Sequence, residues 1–146
     1  MEKFVLDTNI FIHAVRDSSV RKALAAWQRS MGPKIFMHAV VASELLHGAR
    51  DEATWTRWRE RWIAPAERVD RLVVPRYASW LDASRIVARL VETRELSGGV
   101  SQSFYNDCLI AASCREQGYS IVTHNRVDFE LISHVAPGLR IAQPFP

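Results

Sequence analysis

The chain has 146 residues, 48% hydrophobic and 24% charged, an ordinary balance for a globular protein and enough length for a full core, so one domain over 1–146 is the simplest expectation. Its formal charge of +3 and pI near 9.2 come mostly from arginine; this is compatible with a polyanionic partner, since a guanidinium holds phosphate oxygens bidentately. No apolar run reaches the length of a membrane span, and Met1-Glu2-Lys3 leads into a strand-like run with no cleavage site, so a membrane role is excluded and the cytoplasm is the expected location.

Residues 3–6 form a short apolar strand that stops at Asp7-Thr8-Asn9, with a helix expected over 8–15. Asp7 suits the N-cap of that helix. It also stands at the C-terminal end of a buried strand, where ligands sit in open α/β sheets. Asp17 and Ser18 cap a second helix running to about residue 31, with Leu24 and Trp27 inward, and Gly32-Pro33 ends it. A second strand at 35–37 runs into a helix at 38–48, closed by Gly48 in the C′ position.

Residues 51–63 carry Trp55, Trp58 and Trp62 with Arg57, Arg59 and Arg61 between them. An aromatic stripe at helical spacing reads first as core and second as an RNA-contacting face. A third strand is expected over 69–74, a long helix over 77–95, a loop at Ser97-Gly98-Gly99 and a helix of low polarity over 101–117. A fourth strand at 119–123 precedes a turn or helix at 124–129, and 139–142 reads as a last strand. Alternating strands and helices give an α/β class: a mostly parallel sheet with helices on both faces, the ends of strands one, two and four along one rim.

Cys108 and Cys114 lie six apart in one helix, about 240° around the axis and about 9 Å along it, so they cannot bridge each other. Neither pairs with a histidine at zinc spacing.

Three further acids sit where acids are costly. Glu44 shares a helix stripe with Val40, Val41 and Leu45. Asp107 lies in Phe104-Tyr105-Asn106-Asp107-Cys108-Leu109-Ile110-Ala111-Ala112, a helix apolar nearly all round, where aspartate is a poor helix former and is almost never buried unpaired. Asp128 follows strand four as Asp7 follows strand one. Two carboxylates about 4 Å apart repel by roughly 4 kcal/mol at an effective dielectric near 20, so a cluster of four needs protons or cations. Oxygen ligands alone suit Mg²⁺ or Mn²⁺, and an all-acid pocket in a basic protein points to phosphodiester chemistry.

The order Asp7-Thr8-Asn9, Ser43-Glu44-Leu45 with Gly48, Asn106-Asp107 with Ile110-Ala111-Ala112, then Thr123-x-Asn125-x-x-Asp128-Phe129 resembles the PIN domain. More narrowly, it resembles the VapC ribonuclease toxins of toxin–antitoxin pairs, over nearly the whole chain. The resemblance implies an α/β/α sandwich and a Mg²⁺- or Mn²⁺-dependent endoribonuclease, as a homodimer occluded by a small cognate antitoxin. It implies that Asp7, Glu44, Asp107 and Asp128 are the catalytic, metal-holding acids. Thr8, Asn9, Thr123 and Asn125 then position ligands or RNA. Under two-ion hydrolysis Asp7, Asp107 and Glu44 hold one ion and Asp128 a second. The stretch 96–103 departs from the resemblance, being longer and more polar.

Other readings of the same residues are a non-toxin nuclease of RNA processing and a non-catalytic RNA- or protein-binding adaptor with this fold. A haloacid-dehalogenase-type phosphotransferase would want an aspartate where Asn9 stands, and a phospho-receiver would want a lysine on the late motif.

Overall fold

The computed structural model describes residues 1–97 and 99–143; Gly98, in the expected Ser97-Gly98-Gly99 loop, lies outside the described residues. Five parallel strands form one sheet in the order β3-β2-β1-β4-β5: β1 (Phe4–Leu6), β2 (Ile35–His38), β3 (Leu72–Val73), β4 (Ser120–Val122) and β5 (Arg140–Ala142). The first three strands step outward on one side of β1, and the chain then returns to lay β4 on the other. The C-terminal end of β1 is therefore a topological switch point, where a crevice opens between diverging connections.

Short apolar strands fit this place. Phe4, Val5 and Leu6 are all buried, as are Ser120, Ile121 and Val122 in β4, as expected of strands covered on both faces. The connections are helical: α1 (Thr8–Arg16) and α2 (Ser18–Met31); α3 (Ala39–His47), α4 (Glu52–Trp58) and α5 (Ala64–Arg68); α6 (Tyr77–Glu92) and α7 (Gln102–Gln117); and α8 (Arg126–Ser133). Asp17 caps α2 by accepting the Ser19 amide at 2.8 Å. Ser101 caps α7 by accepting the Phe104 amide at 3.0 Å. α7 is the central helix, with Asp107 and the run through Cys114 buried. It ends at Gly118, whose φ of +82° is a left-handed conformation that favours glycine.

Four boundaries differ from expectation. His38 ends β2 and caps α3, its Nδ1 accepting the Val40 amide at 3.1 Å. Gly48 follows α3 in a right-handed conformation (φ −77°), so it is not the left-handed cap that its position suggested. The third strand shrinks to two residues because the chain first turns tightly. Asp70 sits at φ +52°, and the Arg71 amide reaches back to the Ala66 carbonyl at 2.9 Å. Helix α6 stops at Glu92, where Arg94 turns left-handed and the amides of Glu95 and Leu96 both close on the Leu90 carbonyl.

The tryptophan stripe is split. A π-helical turn, Arg59–Ile63, separates α4 from α5 and adds residues per turn. Trp62 is thereby buried edge-on against Phe11, centroids 5.8 Å apart, with the Arg61 guanidinium over its ring. Trp58 is half-buried and Trp55 exposed. The first reading of the stripe as core thus fits Trp62 best. Cys108 and Cys114 are free, buried thiols; burial pushes Cys108 up to about 12 and Cys114 further up.

Candidate active site

The rim at the end of β1 gathers side chains from four elements. Asp7 is the N-cap of α1, its Oδ1 accepting the Thr8 amide at 2.8 Å. Its Oδ2 accepts the Thr123 hydroxyl at 2.8 Å from the end of β4. The capping role and the strand-end role are therefore one geometry, since an ionised carboxylate has lone pairs left after two such bonds. Thr123 is fully buried and also accepts the Asn125 amide at 2.8 Å, which fixes the turn into α8. Asn125 in turn donates through Nδ2 to Asp128 Oδ2 at 2.8 Å. Asn9 spans the same gap. Its Oδ1 accepts the His124 amide at 3.2 Å, and its Nδ2 reaches the Thr123 hydroxyl at 3.4 Å.

Glu44 enters from α3, a helix that packs against both α1 and α7. Its Oε1 accepts the Thr8 hydroxyl at 2.7 Å and its Oε2 accepts Asn106 Nδ2 at 3.1 Å. The half-buried glutamate thus ties the first motif to the third. Asp107, five residues into α7, is no cap. It is 6% exposed, and among the described residues its carboxylate takes no hydrogen bond or ion pair.

Electrostatics ties the set together. Burial first, then the charges of Asp7, Glu44 and Asp128, pushes the Asp107 carboxyl up to about 8. Asp7 is also raised, by burial first, with Glu44 and Asp128 adding to it and its two hydrogen bonds opposing. No lysine, arginine or histidine forms an ion pair with any of the four acids among the described residues. Arg126, the nearest in sequence, turns to Glu130 at 3.2 Å.

The eight residues singled out in the sequence therefore lie on one rim, linked by hydrogen bonds except for Asp107, which joins through charge. Three of the four carboxylates are held to neutral hydroxyls or amides. Among the described residues, no group of three His, Cys, Asp or Glu side chains stands close enough to hold a metal ion as the side chains lie. The donor set still fits a hard divalent cation: carboxyl oxygens beside which, among the described residues, no lysine or arginine forms an ion pair.

Two features went unread in the sequence: the tie made by Asn106, quoted there only beside Asp107, and a pair of stacked histidines. Asn106 is the tie between Glu44 and α7, and Gln102, four residues before it on the same face, donates to Asn106 Oδ1 at 2.9 Å. The i, i+4 spacing of two amides was the available signal. His13 and His124 stack with centroids 4.6 Å apart at the mouth of the rim; residues so far apart in sequence leave no local signal.

Comparison with known proteins agrees with this fold. The PIN domain family model matches residues 4–134. Ribonuclease VapC2 of Haemophilus influenzae is 29% identical over 137 residues, covering 90% of this chain and 93% of that protein. Among solved structures, DNA-bound VapBC from Salmonella typhimurium superposes with a TM-score of 0.73 at 22% identity, covering 98% of each chain. VapBC2 from Rickettsia felis, bound to a promoter DNA fragment, gives a TM-score of 0.67 at 19% identity over 96% of this chain and 97% of that one.

Proposed function

The chain belongs to the PIN domain family, and from that premise we propose that it is a metal-dependent endoribonuclease, the toxin of a VapC-type pair neutralised by a cognate antitoxin. The observation that carries the proposal is Asp107. A buried carboxyl pushed to about 8 by burial and by three neighbouring acids, with no ion-paired cation among the described residues, needs an external positive charge to be ionised at neutral pH. The relatedness to ribonuclease VapC2 supports RNA as the substrate. The likeness to chains solved as VapBC complexes supports an antitoxin partner.

In this reading Asp7, Glu44 and Asp107 would hold Mg²⁺ or Mn²⁺, and Asp128 would serve a second ion. Such a cation acidifies water and neutralises charge on a phosphodiester. The chain's own groups do the positioning. Thr123 and the Thr8 amide fix both oxygens of Asp7, Thr8 and Asn106 fix both oxygens of Glu44, and Asn125 fixes Asp128. Each carboxylate oxygen keeps lone-pair capacity beyond the bond it accepts. Asn9 ties α1 to the turn after β4, holding the first and fourth acids in register. The same reading makes it a homodimer of the cytoplasm; separately, among the described residues no helix is long and apolar enough to cross a membrane.

Expression in a bacterium tests the toxin reading. Growth should stop, with new RNA 5′ ends appearing within minutes, and a co-expressed antitoxin should relieve it. Unimpeded growth with intact RNA, from a folded and metal-replete protein, contradicts it.

A further inference from the structure

Beside the acids lies a hollow of about 380 Å³ between α3, α6 and α7, within the size range of small-molecule sites. Its walls include Glu44 and Asn106, so it is continuous with the candidate active site, and beyond them Gln102, Tyr105, Val74 and Trp80. We infer that this hollow is a subsite for one unpaired nucleobase of the RNA, next to the scissile phosphate; the inference rests on the nuclease reading above.

Three observations fix the class of occupant. The only charged side chain on the described walls is Glu44, which the nuclease reading gives to the cation, and no lysine or arginine lines them, so nothing there holds a phosphate and a neutral group is accepted. Aromatic surface is on offer: Trp80 is 50% exposed, and among the described residues its ring has no ring or cation partner, while the half-buried Tyr105 packs partly against the core. The polar groups are planar amides held in order, Gln102 donating to Asn106 and Asn106 to Glu44. Among the described residues Gln102 thus keeps its carbonyl oxygen and its second N–H without a partner. Aromatic faces beside amide edges are what a splayed-out base needs, stacking on the rings while its edge is read by hydrogen bonds. A donor and acceptor side by side match a base with an exocyclic amine next to a ring nitrogen.

The test is cleavage of single-stranded RNA oligonucleotides, varied at the bases flanking the cut, by wild type, Trp80→Ala and Gln102→Ala. Stacking on one aromatic ring predicts that Trp80→Ala lowers kcat/KM by about 5- to 140-fold, mostly through KM. Gln102→Ala should flatten the base preference at one flanking position. RNA abasic at that position should be cleaved equally well by wild type and Trp80→Ala. An equal loss on abasic RNA overturns the subsite. So does a Trp80→Ala protein that changes oligomeric state in sedimentation while keeping its base preference, which would make this face a contact between copies. If wild type cleaves no RNA, the nuclease reading fails on its own, and fluorescence anisotropy with the same oligonucleotides decides the subsite. Binding weakened by Trp80→Ala upholds it; equal or absent binding removes it.

Discussion

Replacing Asp107 with asparagine should make the metal-free protein more stable while ending cleavage. In the folded protein the carboxyl holds its proton up to about pH 8, against an ordinary value of 3.8. The folded state therefore binds the proton that the unfolded chain releases, and metal-free stability falls as pH rises from about 4 to about 8. Some four pH units at about 1.4 kcal/mol each bounds the penalty at about 6 kcal/mol above pH 8. Asp7, raised in the same direction, shares the repulsion, so the isosteric Asp107→Asn should recover about 2–4 kcal/mol of it. At about 3 °C per kcal/mol for a chain of this length, Tm in EDTA should rise by about 6–12 °C at pH 8.5. At pH 5, where the wild-type carboxyl is already protonated, the two proteins should melt together. Calorimetry at both pH values, with and without Mg²⁺, makes the comparison. A substitution equally destabilising at pH 5 and pH 8.5 would refute the reasoning, because Asp107 would then be a structural hydrogen-bonding group rather than an uncompensated charge.

Thr123→Val keeps the shape of a fully buried side chain but removes the donor to Asp7 and the acceptor for Asn125. It should cost about 1–3 kcal/mol in urea unfolding, and RNA cleavage should fall at least tenfold. Phe129 is fully buried beneath the Asp128 turn, and Phe129→Ala should cost about 3–5 kcal/mol by the same measurement. The pKa of His124 is lowered, by burial first and then by the charge of His13. In His13→Ala its titration, followed by NMR, should therefore move to higher pH; an unchanged midpoint would mean that the stacked pair does not interact electrically.

What the sequence revealed and what it hid follow physical lines. Asp107 was legible because a helix with no polar face has nowhere to put a carboxylate except against the protein. Asp7 was legible because a three-residue strand stopping on an acid has few outcomes, and it caps α1 while standing on the strand-end rim beside Thr123. Thr123 and Asn125 stood out only through the resemblance, as a threonine and an asparagine in a turn commonly serve the backbone alone. The π-helical turn went unread, since Trp55, Trp58 and Trp62 fit a regular helix on paper, whereas in the structure Trp62 at the wider turn packs against Phe11. The short β3 was misjudged because an apolar run cannot reveal that Asp70 turns left-handed. Gly48 looked like a left-handed cap, yet glycine also serves where the helix end stays right-handed.

The central claim is that the rim acids meet to hold a divalent cation. Titration of Mn²⁺ into the purified protein at pH 8, followed by calorimetry, measures it directly. The account predicts saturable binding by wild type with proton release, lost in both Asp7→Asn and Asp107→Asn while each variant stays folded. Binding that survives in both folded variants, or no binding by wild type, would contradict it.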